Sequence, residues 1–139
     1  RKNINLTTDV IVGFPTETNE DFFNTINFIK EVNFSKIHVF PYSKRDNTVA
    51  AKLSNIVSDK EKKDRASELI KLSNKLELDY AKQFINKELD VLIEKSGVES
   101  NGHTSNYLNV FINKKLIKNK EYNVKIISIK ENKIYGEIE

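Results

Sequence analysis

The hydrophobic period of this chain changes near residue 87, and that change divides what it can fold into. Before it, apolar residues recur at helical spacing or in short β-branched runs. After it they alternate, Leu89, Val91 and Ile93, then Leu108, Val110 and Ile112, then Tyr122, Val124 and Ile126, then Ile134, Gly136 and Ile138. A period of two places alternate side chains on opposite faces of a strand. The first part therefore reads as α/β and the second as all-β. Four short strands within about 55 residues need closure to avoid open edges, so a small β-barrel or sandwich is expected. Glu131-Asn132-Lys133 marks a hairpin between the last two strands.

The α/β part begins with Thr7-Thr8-Asp9-Val10-Ile11-Val12-Gly13-Phe14-Pro15-Thr16-Glu17-Thr18. Val10-Ile11-Val12 favours extended backbone, and its unbroken apolar character suits a parallel strand covered on both faces. Gly13 and Pro15 stop it. Thr18 and Asn19 are good caps, with Glu20 and Asp21 in a first helical turn. A loop at the carboxyl end of a parallel strand is where α/β folds bind ligands. It is also where a tight turn needs glycine and nothing else. The helix expected over 19–32 buries Phe22, Phe23, Ile26, Ile29 and Val32, and Asn33 offers a left-handed stop. Lys36-Ile37-His38-Val39-Phe40, closed by Pro41, completes a βαβ unit.

Residues 41–57 form an irregular connection. Ser58 and Glu61 make a capping box, and the helix it opens runs to about residue 83. Ala66, Leu69, Ile70, Leu76, Tyr80 and Phe84 form its apolar stripe, widened by Leu72 and Leu78. A strut between two domains is the expected role. The divisions are thus 1–57, a linker helix 58–84, and a β domain 85–139.

Charge is spread evenly. Of 139 residues, 23 are Lys or Arg and 20 are Asp or Glu, and no segment is a basic block. Nucleic-acid binding is permitted, not required. There is no cysteine and only two histidines, so no zinc-ligand pattern and no disulfide framework exist. No Walker loop is present, and no catalytic triad can be read from spacing. No apolar run reaches a membrane span, and a cytoplasmic address is expected. The start at Arg1, close to a strand, suggests a piece of a longer protein. Two parallel strands do not make a stable sheet, so residues 1–55 are expected to self-associate or to need a missing N-terminal part.

Between the first two β strands lies a long polar loop, 95–107, expected to carry His103, Asn106 and Tyr107. These side chains can stack on bases or hydrogen-bond base edges. Lys114, Lys115, Lys118 and Lys120 follow and can meet phosphates. The same residues would also suit a solvated loop and a charged turn.

Three motifs together resemble one family. Thr8-Asp9-Val10-Ile11-Val12-Gly13-Phe14-Pro15-x-Glu17-Thr18 resembles the late-barrel segment of radical-SAM tRNA methylthiotransferases. His38-Val39-Phe40-Pro41-Tyr42-Ser43-x-Arg45 is similar to the next strand and loop. Gly102-His103-Thr104-x-Asn106-Tyr107 resembles the signature of the family's RNA-binding TRAM domain, in the form of the MtaB-like branch that methylthiolates threonylcarbamoyladenosine beside the anticodon. The resemblance implies the C-terminal part of a (β/α) barrel followed by a small OB-like TRAM barrel. It implies an S-adenosylmethionine pocket walled by Gly13, Phe14, Pro15, Phe40, Pro41 and Arg45. It implies contacts to a tRNA anticodon arm from His103, Asn106, Tyr107, Lys114 and Lys115. It also implies two [4Fe–4S] clusters, whose cysteine ligands this sequence lacks, so no catalytic or metal-binding residue is assigned here. Two departures stand out: Thr16 where the family usually has Gly, and Asn47-Thr48-Val49 where it usually has Gly-Thr-Pro or Gly-Thr-Arg. A slightly different turn is expected at Thr16. The competing reading is a stand-alone RNA-binding adaptor whose βα portion is only scaffold.

Overall fold

A computed structural model describes residues 4–139. The chain divides into two units, Leu6–Leu76 and Glu77–Glu139 with Ile4 and Asn5.

In the first unit, β1 (Thr7–Val12) and β2 (Lys36–Pro41) are parallel, with Val10 opposite Val39. Helix α1 (Asn19–Val32) connects them. Thr18 and Asp21 start it by exchanging hydrogen bonds in a capping box, and the Thr18 contacts lower the Asp21 pKa. Asn33 ends it at φ 59°, in the left-handed region. Helix α2 (Asp59–Lys82) starts from the Ser58–Glu61 capping box. Val12, Phe22, Ile26, Ile29, Ile37, Leu69 and Leu76 form one buried cluster. Truncating Leu69, which is fully buried, would cost roughly 2–5 kcal/mol. Ser73 serves the edge of β2: its hydroxyl accepts from the Ile37 N–H and donates to the Ile37 carbonyl, both at 3.0 Å.

Two expectations are corrected here. The strands are covered on one face only, since Ile11 is 56% and Phe40 51% exposed. The helices supply one apolar layer, and the other face is left open, bordered by residues of the 42–50 connection. Ile70 leaves the α2 stripe and is exposed, as is Phe23 on α1. Leu69 and Leu76 of the expected stripe are buried, and Arg65, Ser73 and Ala81 join them at the buried positions of α2.

The second unit is a closed five-stranded barrel in the order β3-β4-β5-β7-β6. Its strands are β3 (Glu88–Lys95), β4 (Ser100–Thr104), β5 (Asn109–Ile112), β6 (Glu121–Lys130) and β7 (Lys133–Glu137). All neighbours are antiparallel except β5 and β7. Val91, Ile93, Leu108, Val110, Ile112, Val124, Ile126 and Ile134 fill it, and Ala81 and Phe84 join that core. Glu131 and Asn132, both at positive φ, make the tight β6–β7 turn.

Strand β4 lies where a loop was expected. Its sequence, Ser-Asn-Gly-His-Thr, has no β-branched run to announce it. It is made by pairing on both sides, and Gly102 is the residue that permits this. A Cβ there would stand 1.9 Å from the Leu92 carbonyl oxygen on β3. Among the described residues, no helix is long and apolar enough to cross a membrane.

Candidate functional site

At the carboxyl ends of β1 and β2 lies a pocket of about 530 Å3, lined by Asp9, Ile11, Phe40, Pro41, Tyr42, Ser43, Arg45, Thr48 and Ala50. That size suits a small cofactor. Phe40 and Ile11 give it apolar surface. Arg45 gives it a cation, and Thr48 shapes that loop by donating to the Arg45 carbonyl at 2.8 Å. The Tyr42 hydroxyl is buried and has no hydrogen-bond partner among the described residues. Leaving such a group unpaired costs about 1–3 kcal/mol.

The expected wall is only partly assembled. Phe40, Pro41 and Arg45 line the pocket, whereas Gly13, Phe14 and Pro15 do not. Gly13 is buried at φ 73°, and a Cβ there would stand 2.1 Å from Lys62 Cγ. Close approach to α2 accounts for the glycine at this position. Pro15 is buried, and the Phe14 ring packs edge-on to Tyr42 at 5.4 Å. The whole loop is held from beneath by Arg65. Its guanidinium donates to Glu17 Oε1 at 2.6 Å and to Asn19 Oδ1 at 2.9 Å. The same Glu17 oxygen accepts the Gly13 N–H at 2.9 Å. Sequence reasoning missed Arg65. The signal was there: Arg65, Leu69, Leu72 and Leu76 follow one helical face.

The departures from the family pattern become legible. Thr16 sits at φ 79° and Asn47 at φ 66°, both in the region glycine favours. Thr16 takes a glycine-like conformation and bears the strain.

In the barrel the expected RNA residues separate. The antiparallel register places Ser100 opposite Ile112 and His103 opposite Asn109. His103 to Tyr107 therefore sit at one end of β5, and Lys114 and Lys115 at the other. The first half of the former loop stays with the lysines: the Leu116 N–H donates to Ser100 Oγ at 3.0 Å, and Ser96 Oγ donates to the Leu116 carbonyl. At the His103 end, a groove is lined by Asp90, Leu92, Glu94, His103, Thr104, Ser105, Tyr107 and Glu121. His103 Nδ1 lies 3.0 Å from Glu94 Oε2. Tyr107 projects outward, 77% exposed, at φ 64°. Three carboxylates around it repel phosphate, so its ring suits a base and not a backbone. Asn106 is buried. Its amide donates to Tyr80 Oη at 3.1 Å and accepts from Thr104 Oγ1, so it holds the bend that presents Tyr107.

A threonylcarbamoyladenosine tRNA methylthiotransferase, MtaB, of Bacillus subtilis is 46% identical over 111 residues, covering 76% of this chain and 25% of its own length. The tRNA-2-methylthio-N(6)-dimethylallyladenosine synthase of Alkaliphilus oremlandii is 37% identical over 141 residues, covering 98% of this chain and 30% of its own. The synthase of the same name from Thermoanaerobacter sp. strain X514 reaches 40% over the same shares. The chain belongs to the tRNA methylthiotransferase family. No protein-family model matches it. The chain spans between a quarter and a third of the length of these methylthiotransferase relatives.

The residues that line the β1–β2 pocket are of the kinds that would fit S-adenosylmethionine. They offer an apolar wall and a guanidinium for a carboxylate. The clusters do not fit, because the sequence holds no cysteine.

Proposed function

We propose that this chain is the C-terminal piece of an MtaB-like radical-SAM tRNA methylthiotransferase acting on threonylcarbamoyladenosine in the cytoplasm. Residues 1–57 belong to the (β/α) barrel, 58–84 are the connecting helix, and 85–139 are the TRAM domain. When bound, S-adenosylmethionine supplies the radical chemistry. Phe40, Pro41 and Ile11 would cover its apolar portion, and Arg45 would pair its carboxylate. Gly13, Phe14 and Pro15 act as the floor that fixes this wall. The clusters would be held by the N-terminal part of the protein.

The barrel is the tRNA-binding element. Its strand order is that of OB barrels, whose second and third strands and flanking loops take oligonucleotides. His103 and Tyr107 would meet bases of the anticodon arm, Asn106 would fix their loop, and Lys114 and Lys115 would meet phosphates.

The observation that carries the reading is the pairing, in one chain, of a strand-end pocket and a closed β-barrel, matched over 98% of its length by methylthiotransferases. The test is direct. The full-length protein is expressed in a host lacking its own enzyme, and digested tRNA is analysed by mass spectrometry. A methylthio group on threonylcarbamoyladenosine is expected. A methylthio group on the dimethylallyl nucleoside instead would move the protein to the other branch. No methylthiolated nucleoside would reject the reading.

A further inference from the structure

Phe111 and Tyr135 stand side by side on the outside of the barrel. Their strand neighbours Val110, Ile112, Ile134 and Gly136 are buried, so alternation turns the two rings outward. The β5–β7 register pairs them directly. Their centroids are 6.1 Å apart and their planes inclined at 46°. Both remain half-buried, with surface left open. Asn101 extends the row on β4, opposite Phe111, and Ser128 extends it on β6, opposite Tyr135. Beside the row runs a groove of about 750 Å3, bordered by Asn113, Lys114, Ser128, Lys130 and Tyr135 among others. Lys133 Nζ lies 4.5 Å from the Phe111 ring centroid and 3.7 Å from Glu99. Its side chain is 47% exposed, so it can swing aside at little cost.

Cross-strand packing accounts for two aromatic rings in register. It does not account for the surroundings: a flanking row of amide and hydroxyl side chains, a half-exposed cation and an open groove. Those are the parts of a nucleobase platform, in which a ring stacks, polar groups read its edge and a cation takes the phosphate. We propose that this face binds an unpaired nucleotide of the tRNA, with Phe111 and Tyr135 stacking on the base and Lys133 turning to its phosphate. The proposal rests on the RNA-binding reading of the barrel and adds a second contact, separate from the Tyr107 groove. Lys114, Lys130 and Lys133 are balanced here by Glu99, Glu131 and Glu137. Binding at this face therefore comes from stacking and depends weakly on salt.

The sequence contains no tryptophan, so Phe111→Trp places a single fluorescent reporter on the platform. The 139-residue variant is titrated with an eight-nucleotide oligouridylate and with a duplex RNA. Quenching by the oligouridylate and not by the duplex is expected. Replacing Phe111 and Tyr135 together by Leu should weaken oligouridylate binding by about tenfold or more, with duplex binding and the salt slope unchanged. If that variant does not fold, the quenching result decides alone. An unquenched reporter at saturating oligouridylate, or an equal loss for duplex and single strand, overturns the platform. The two readings fail differently. A wild-type chain that binds neither RNA rejects RNA binding by the barrel altogether. A chain that loses affinity on replacing Lys114 and Lys115, but not on replacing the two rings, rejects only the platform.

Discussion

Arg65 and Glu17 form a nearly buried ion pair, 2.6 Å apart, with side chains 7% and 13% exposed. One carboxylate oxygen takes both the guanidinium and the Gly13 N–H. The helix thereby fixes the loop that follows β1. Breaking such a pair on one side leaves a buried charge uncompensated and costs roughly 3–5 kcal/mol. Glu17→Ala should therefore lower the melting temperature sharply. Replacing both residues by Leu should cost less than Glu17→Ala alone. A thermal melt of the two variants checks the ordering.

Thr16 offers a gain in the opposite direction. A β-branched residue at φ 79° bears roughly 1–2 kcal/mol of left-handed strain. Glycine removes that strain but adds about 0.5–1 kcal/mol of unfolded-state freedom. Thr16→Gly should stabilise the chain by up to about 1.5 kcal/mol, measured by urea unfolding. A loss of stability would mean that the Thr16 side chain does more than tolerate its turn.

How much of this was legible in the sequence depends on range. The helix caps at Thr18 and Ser58 and the stop at Asn33 are local devices, and each sits where the sequence placed it. The apolar alternation of β3, β5, β6 and β7 was equally readable. Strand β4 was not, because its pairing comes from residues about ten positions away on either side, and Gly102 is an argument for close approach only once Leu92 is opposite. Arg65 was hidden by its charge in a helix full of charge. The division of the RNA residues between two ends of β5 followed from that same missing strand.

The lysines and Tyr107 should fail differently. Replacing Lys114 and Lys115 together by Ala should weaken binding to all tRNAs and reduce the salt slope by about one to two units. Tyr107→Ala should cost about 1–3 kcal/mol with little change in slope. Because the Tyr107 side chain is mostly exposed, the melting temperature should hold. Affinity measured at several salt concentrations separates these outcomes.

Asn106 should behave as a structural residue. Asn106→Ala removes the hydrogen bonds to Thr104 Oγ1 and Tyr80 Oη, at a cost of about 0.5–1.5 kcal/mol each. A lower melting temperature is expected, with weaker tRNA binding following from a displaced Tyr107. A variant that melts normally yet loses tRNA binding would place Asn106 in direct contact with RNA.

Acid should loosen both helix starts. Hydrogen bonds from Thr18 to Asp21 and from Ser58 to Glu61 hold these carboxyls below their ordinary values. A carboxyl with a depressed folded-state value stabilises fully above its unfolded value and loses that contribution as pH falls through the folded one. Wild-type stability should therefore fall faster below about pH 4 than that of an Asp21→Asn, Glu61→Gln variant. Helix content followed by circular dichroism against pH would show it, and parallel curves would contradict it.

The placement of β7 between β5 and β6 has a consequence during synthesis. The αβ unit can form once residue 76 has left the ribosome, since its contacts lie within Leu6–Leu76. The barrel cannot. Its closing strand is the last of the five to be made, so β5 and β6 emerge with one edge each unpaired and wait for Lys133–Glu137. A ribosome stalled before residue 133 would present an open, aggregation-prone sheet to chaperones. A pause once Glu137 has left the ribosome would leave a finished barrel.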